Sequence, residues 1–146
     1  MKELSKWNDG KGIDLEGWIS CEGNFSLAVG YSEIFWPEFV EFEDYILRKG
    51  FSESSLRSFE NQDQSDKKGT EWLMNHLHIA DIQHSYCEDL TRDKILFLAP
   101  ILVEIYQAKL AWQFPDKPCT VEFYHPDDKD DLIGYQMSFW QKKHEK

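Results

Sequence analysis

From Ile95 to Phe114 apolar residues recur every third or fourth position. Ile95, Leu98, Leu102, Tyr106, Leu110 and Phe114 form one broad stripe, which predicts a helix over 91–114 with Thr91 as its cap. Pro100 lies inside it, and a proline there loses a backbone bond and collides with the preceding turn. A kink or a restart near Ala99 is therefore expected, and Pro115 ends the helix. Downstream the period changes to two. Cys119–Tyr124 sets Val121 and Phe123 against Thr120, Glu122 and Tyr124, and Ile133–Trp140 alternates Ile133, Tyr135, Met137 and Phe139. With the polar segment HPDDKDD between them, these runs predict a C-terminal hairpin.

The first half is less regular. Residues 1–12 are polar and glycine-containing and read as a loose arm. Asp14 is placed to cap a short helix over Leu15–Cys21 that stops near Gly23. Residues 24–35 fit both a helical face (Leu27, Tyr31, Ile34, Phe35) and an alternating strand (Phe25, Leu27, Val29). Trp36-Pro37 makes a natural stop and favours the helix. Phe39–Arg48 reads as a strand, with Val40 and Phe42 on one face and Glu41 and Glu43 on the other. Gly50 ends it, and Ser52 caps a helix carrying Glu53, Leu56 and Phe59. The run NQDQSDKK at 61–68 is a polar loop. Thr70–Leu77 reads as a helix with Trp72, Leu73 and Leu77 facing inward, and residues 78–85 fit no element clearly. The expected architecture is α+β, a single domain over 1–146: an antiparallel sheet of about three strands, with helices on one face. Phe39–Arg48 and the C-terminal hairpin make up that sheet.

The chain is long enough, at 146 residues, to bury a core without disulfides or metal. Fifteen per cent of it is aromatic, including six Trp, so disorder is excluded and some rings are available for interfaces. Net charge is −11, from 27 acids against 16 bases. That field disfavours nucleic acid and anionic membrane surfaces, and favours association with a basic protein. The bland alternative is that the acidity serves solubility. Three cysteines, Cys21, Cys87 and Cys119, match no zinc or redox spacing and read as reduced packing thiols. The N-terminal residues lack the apolar core of a signal peptide. The longest apolar stretch, Ile95–Tyr106, is interrupted by Glu104 and is too short to span a membrane. The expected location is the cytoplasm.

Three segments, FWPEFVEFEDYIL, NHLHIAD and AKLAWQFPDKPCTVEF, resemble an uncharacterised family of small bacterial proteins over residues 35–123. The resemblance implies a bacterial, cytoplasmic protein and brings no activity or catalytic residue with it. In composition alone the chain is also similar to immunity proteins that neutralise toxins.

Two kinds of constellation remain. His76, His78, Asp81 and His84 carry good ligands for zinc or iron, in a spacing near the H-x-H-x-D-H of binuclear metallohydrolases. The Asp comes one place late and no His follows it directly. On a helix His76 and His78 diverge by about 200°, and on a strand they share a face. Hydrogen-bonded or surface histidines are the simpler reading. Cys87 is followed by Glu88 and Asp89, whose charge raises a thiol pKa and suppresses reactivity. No glycine-rich phosphate loop and no G-x-S-x-G elbow occurs, so no cofactor and no catalytic residue is expected.

The second kind is acidic. Glu38, Glu41, Glu43 and Asp44 lie on or beside one segment, and Asp127, Asp128, Asp130 and Asp131 surround Lys129 in the C-terminal turn. Solvated charge on a strand edge and a polar turn explain both without function. The functional reading makes them one negative surface with exposed Trp36 and Trp140 as anchors. The leading expectation is thus an acidic binding module without enzymatic activity, of the immunity type, for a basic toxin or enzyme. The alternatives are a small metal-dependent enzyme using the histidine cluster and a self-associating structural protein.

Overall fold

A computed structural model describes residues 1–62, 64–84 and 87–145. Asp63 and Ser85, which fall in two of the segments read above, lie outside the described residues. The chain forms two compact units, Met1–Ile34 and Phe35–Lys146. The sequence shows no linker, and the division falls at the end of a helix.

In the first unit residues 1–12, read from sequence as an arm, carry local backbone structure. A 3-10 turn at Leu4–Lys6 is closed by Ile13 N–H donating to the Leu4 carbonyl at 3.1 Å, and Gly12 N–H donates to Trp7 O at 2.9 Å. Helix α1, Leu15–Glu22, begins where Asp14 Oδ1 accepts from Gly17 N at 2.7 Å. Helix α2, Phe25–Phe35, is capped by Asn24, whose Oδ1 accepts from Leu27 N. The helical choice for this segment is the one adopted, although neither helix contains a buried residue.

The second unit is α+β, with two antiparallel sheets. Phe39–Arg48 is a hairpin rather than one strand. Strands β1, Phe39–Phe42, and β2, Tyr45–Arg48, pair through a two-residue turn at Glu43-Asp44, where Glu43 adopts a left-handed φ of 54°. They form a sheet of their own. The other sheet has the order β3-β5-β4, with β3 at Leu77–His78, β4 at Cys119–Tyr124 and β5 at Gln136–Gln141. The C-terminal hairpin is present, but β5 starts three residues after Ile133 and every residue from Met137 to Gln141 is buried. Both faces of β5 are covered, so it lacks the simple alternation expected of it.

Helix α3, Glu53–Glu60, is capped by Ser52, whose Oγ accepts from Ser55 N, and it buries Leu56 against Tyr45 and Leu47. Helix α4 runs Lys67–Asn75, starting earlier than expected because Asp66 Oδ1 accepts from Gly69 N. Its buried residues are Thr70, Glu71 and Asn75, while Trp72 and Leu73 are half-buried and Leu77 belongs to β3. Helix α5, Arg92–Gln113, is unbroken and contains Pro100. No restart occurs at Ala99: the stripe of Ile95, Ala99, Leu102, Tyr106 and Leu110 is buried on both sides of the proline, and that burial holds the two halves in one helix. Thr91 occupies the cap position, but its side chain accepts no backbone N–H of the helix. By length and composition α5 is the one helix among the described residues apolar enough to cross a membrane, a test that the interrupted stretch Ile95–Tyr106 did not meet. One side of it is core: Phe39 packs edge-on against Tyr106 at 5.5 Å and against Phe139 at 4.9 Å.

The polar interior of α4 explains why there are two sheets. Glu71 and Asn75 are one turn apart on the same helical face. Glu71 Oε1 accepts from Ile46 N of β2 at 2.9 Å, and its Oε2 accepts from Gln141 N of β5 at 2.7 Å. Asn75 Nδ2 donates to Ile46 O and to Phe139 O, while its Oδ1 accepts from Arg48 N. Two side chains therefore replace a backbone ladder between β2 and β5, and satisfy buried groups on both edges. Gln141 closes the bridge by donating through Nε2 to Glu71 Oε1 at 2.6 Å and to Asp44 O at 2.8 Å.

Candidate functional site

The two acidic segments come out differently. Each carboxylate of the β1–β2 hairpin has a basic partner. Glu38 pairs with Lys49 at 2.5 Å, Glu41 with Lys117, Glu43 with Arg57 at 2.5 Å, and Asp44 with both Lys67 and Lys143. Their titration follows. The hydrogen bond from Arg57 lowers Glu43, and hydrogen bonds from Lys143 and Lys67 hold Asp44 well below the usual carboxylate range. Arg57 also reaches Glu60 at 2.8 Å, and Glu60 accepts from Tyr45 Oη; burial first, and then this bond, push Tyr45 up to about 12. These charges pin the hairpin to α3, α4 and the C-terminal segment. They are not a free negative surface.

The Asp127–Asp131 loop is the opposite case. Asp127, Asp128, Asp130 and Asp131 are exposed, and none of them forms an ion pair among the described residues. The loop is nevertheless built. Asp128 Oδ1 accepts from Asp130 N at 2.9 Å, and Asp131 Oδ1 accepts from Ile133 N and Gly134 N at 3.2 and 3.0 Å. Buried Tyr135 donates through Oη to Lys129 O at 3.1 Å, and its Oη accepts from Arg92 Nε at 3.0 Å, tying the loop to the start of α5. Gly134 is required there, because a Cβ would meet Asp131 Oδ2 at 2.5 Å and Pro126 Cβ at 2.7 Å. Tyr124 at the end of β4 is 48 % exposed and Ile133 is 61 % exposed, so the loop is flanked by a ring and an aliphatic side chain open to solvent. Neither residue was singled out from sequence as a contact. Their signal was position alone, one at each root of the acidic turn.

The two acidic segments lie at opposite ends of β5. The loop enters β5 at its Gln136 end, whereas the hairpin tip meets Gln141 at the other end. Six residues of strand put them about 17 Å apart. Trp140 is also not an exposed anchor. It is 4 % exposed, donates through Nε1 to Glu145 at 2.8 Å, and lies under Lys68 Nζ at 4.6 Å.

Trp36 is exposed, but its neighbours were not foreseen. Gln113 holds both the N–H and the carbonyl of Phe39, which fixes the end of α5 beside the Trp36-Pro37 segment. The Trp36 and Trp112 rings lie 6.1 Å apart at 44°, and Lys109 Nζ stands 5.0 and 4.5 Å from their centroids. Lys109 falls within the apolar stripe of α5, three residues after Tyr106. A lysine in that position was the available signal.

The histidines are brought together only in part. His76 caps the end of α4 with Nδ1 against Leu73 O at 2.5 Å. His78 sits in β3 with Nδ1 against Ile133 O at 2.7 Å. Their rings meet edge-on at 5.2 Å. Asp81 and His84 are exposed, and no group of three or more His, Cys, Asp or Glu among the described residues is placed to hold a metal. Cys87 donates to Asp89 Oδ1 at 2.7 Å, and that carboxylate raises its pKa as anticipated; burial pushes Cys119 up to about 12.

Comparison with protein families, with curated proteins and with solved structures finds no match to this chain.

Proposed function

We propose that this chain is a non-enzymatic binding module, cytoplasmic and bacterial, that docks on a basic protein in the manner of an immunity protein occupying a toxin or enzyme. One observation carries the reading. The four exposed carboxylates of the Asp127–Asp131 loop lack base partners among the described residues, in a chain whose other acidic segment is neutralised. The loop is held in shape by its own hydrogen bonds, so little ordering is lost on docking. Its charge, and the −11 field behind it, steer a basic partner, and Tyr124 and Ile133 supply apolar contact at its edges.

The test is capture from the native host with the wild-type chain and with D127N/D128N/D130N/D131N as paired baits. A basic protein held by the wild type, released by about 0.5 M salt and absent from the variant supports the reading. Identical captures by both baits sink it. Self-association is a second reading, favoured by Phe97 and Ile101, which are exposed one turn apart on α5. Light scattering separates the two: a dimer unaffected by the loop substitutions supports self-association.

A further inference from the structure

Lys109 is the one lysine buried in the described structure, at 6 % exposure. Its aliphatic stem is what is buried, and the ammonium is carried to the edge of the fold. Lys109 has neither a hydrogen-bond nor an ion-pair partner among the described residues. Its Nζ instead points between two indoles that are themselves open to solvent, Trp36 at 51 % and Trp112 at 68 %. The rings form a V with an opening angle of 44°. The indole faces stabilise the cation but accept none of its N–H bonds in the ordinary sense. A cation whose stem is buried and whose ammonium lies between exposed aromatic faces, open to a partner from solvent, has the chemistry of a receptor for an anion carried on a flat apolar body.

We propose that Trp36, Lys109 and Trp112 form a binding site for an aromatic monocarboxylate. The carboxylate takes the N–H donors of Lys109, and the ring it is attached to lies against the indoles, where offset or edge-on contact is favourable. One charge is specified because the site holds a single cation inside a chain of net charge −11, a field that a dianionic phosphate meets twice over. A free cation is excluded by the resident ammonium. Gln113 ties the end of α5 to the backbone of Phe39, which holds the segments carrying Trp112 and Trp36 side by side before a ligand arrives.

The experiment titrates the full chain with benzoate, acetate and benzylammonium, following the indole Nε1–H resonances of Trp36 and Trp112 by NMR. Benzoate should shift both resonances saturably, with acetate about tenfold weaker and benzylammonium without effect. K109M should weaken benzoate about tenfold or more. W112L, at a position two-thirds exposed, gives the same loss without touching the core, and so serves if K109M does not fold. The proposal fails if benzoate does not saturate either resonance by about 10 mM, if benzylammonium binds as well as benzoate, or if both variants keep wild-type affinity.

Discussion

Removing the carboxylate of Glu71 should unfold or nearly unfold the Phe35–Lys146 unit. Glu71 is 0 % exposed and accepts three hydrogen bonds, from Ile46 N, Gln141 N and Gln141 Nε2. Glu71→Ala leaves two buried backbone N–H groups without an acceptor and takes one of two acceptors from Gln141 Nε2. Each such donor costs about 1–3 kcal/mol, so the substitution should cost about 3–6 kcal/mol even after partial relaxation, with a small cavity added. Domains of this size have only about 5–15 kcal/mol in hand. Glu71→Gln is the finer probe. Its oxygen replaces Oε1, but its amide then faces Gln141 N–H, donor against donor, and about 2–3 kcal/mol is expected. Equilibrium urea unfolding gives both values, with the m-value checking that the transition stays two-state. Asn75→Ala removes the second half of the same bridge, so the double variant should be less destabilised than the sum of the singles. If Glu71→Ala lies within about 1 kcal/mol of wild type, then side chains of α4 do not join the two sheets, and the explanation of the divided sheet is wrong.

Three further outcomes follow from particular groups. Tyr106 Oη is buried without a hydrogen-bond partner among the described residues, so Tyr106→Phe should leave stability unchanged or raise it by about 1 kcal/mol; a loss of more than about 1 kcal/mol in urea unfolding would show that the hydroxyl is bonded. Glu43, Asp44, Glu60 and Glu145 all titrate below their ordinary range because of their partners, so their stabilisation is complete above the unfolded carboxylate pKa and lost as pH falls through the lower folded values. Thermal unfolding should then be flat from about pH 7 to 5 and fall below about pH 4, and a melting point that rises on acidification contradicts the pairing. Thiol labelling at pH 8 should modify exposed Cys21 first and leave Cys119 slowest, its thiol being half-buried and held near 12; equal rates at the two sites would refute the burial argument.

What the chain revealed before its structure was known depended on how local the cause was. The caps at Asp14 and Ser52 and strand β4 were legible, because each rests on a side chain bonding its own neighbourhood or on a period of two. The β1–β2 turn was not. Glu43-Asp44 lacks the glycine or asparagine that marks a two-residue hairpin, and Glu43 is held at φ 54° while its carboxylate is bound by Arg57, fourteen residues away. The bridge through Glu71 and Asn75 was equally hidden. A polar pair on a helix reads as a solvent face until strands from elsewhere in the chain supply its partners. The same holds for the site. The acidic loop was visible as composition, but which carboxylates remain unpaired depends on Lys49, Arg57, Lys67, Lys117 and Lys143, bases spread over the chain. Trp140 read as an exposed anchor on residue type, and the burial of both faces of β5 reversed that.

The most direct measurement compares the two acidic segments against one captured basic partner. Titration calorimetry would be run with wild type, with D127N/D128N/D130N/D131N, and with E38Q/E41Q. A loop that carries docking predicts an affinity loss of about a hundredfold or more for the first variant and under about threefold for the second. Equal losses, or a larger loss from the hairpin variant, would contradict it.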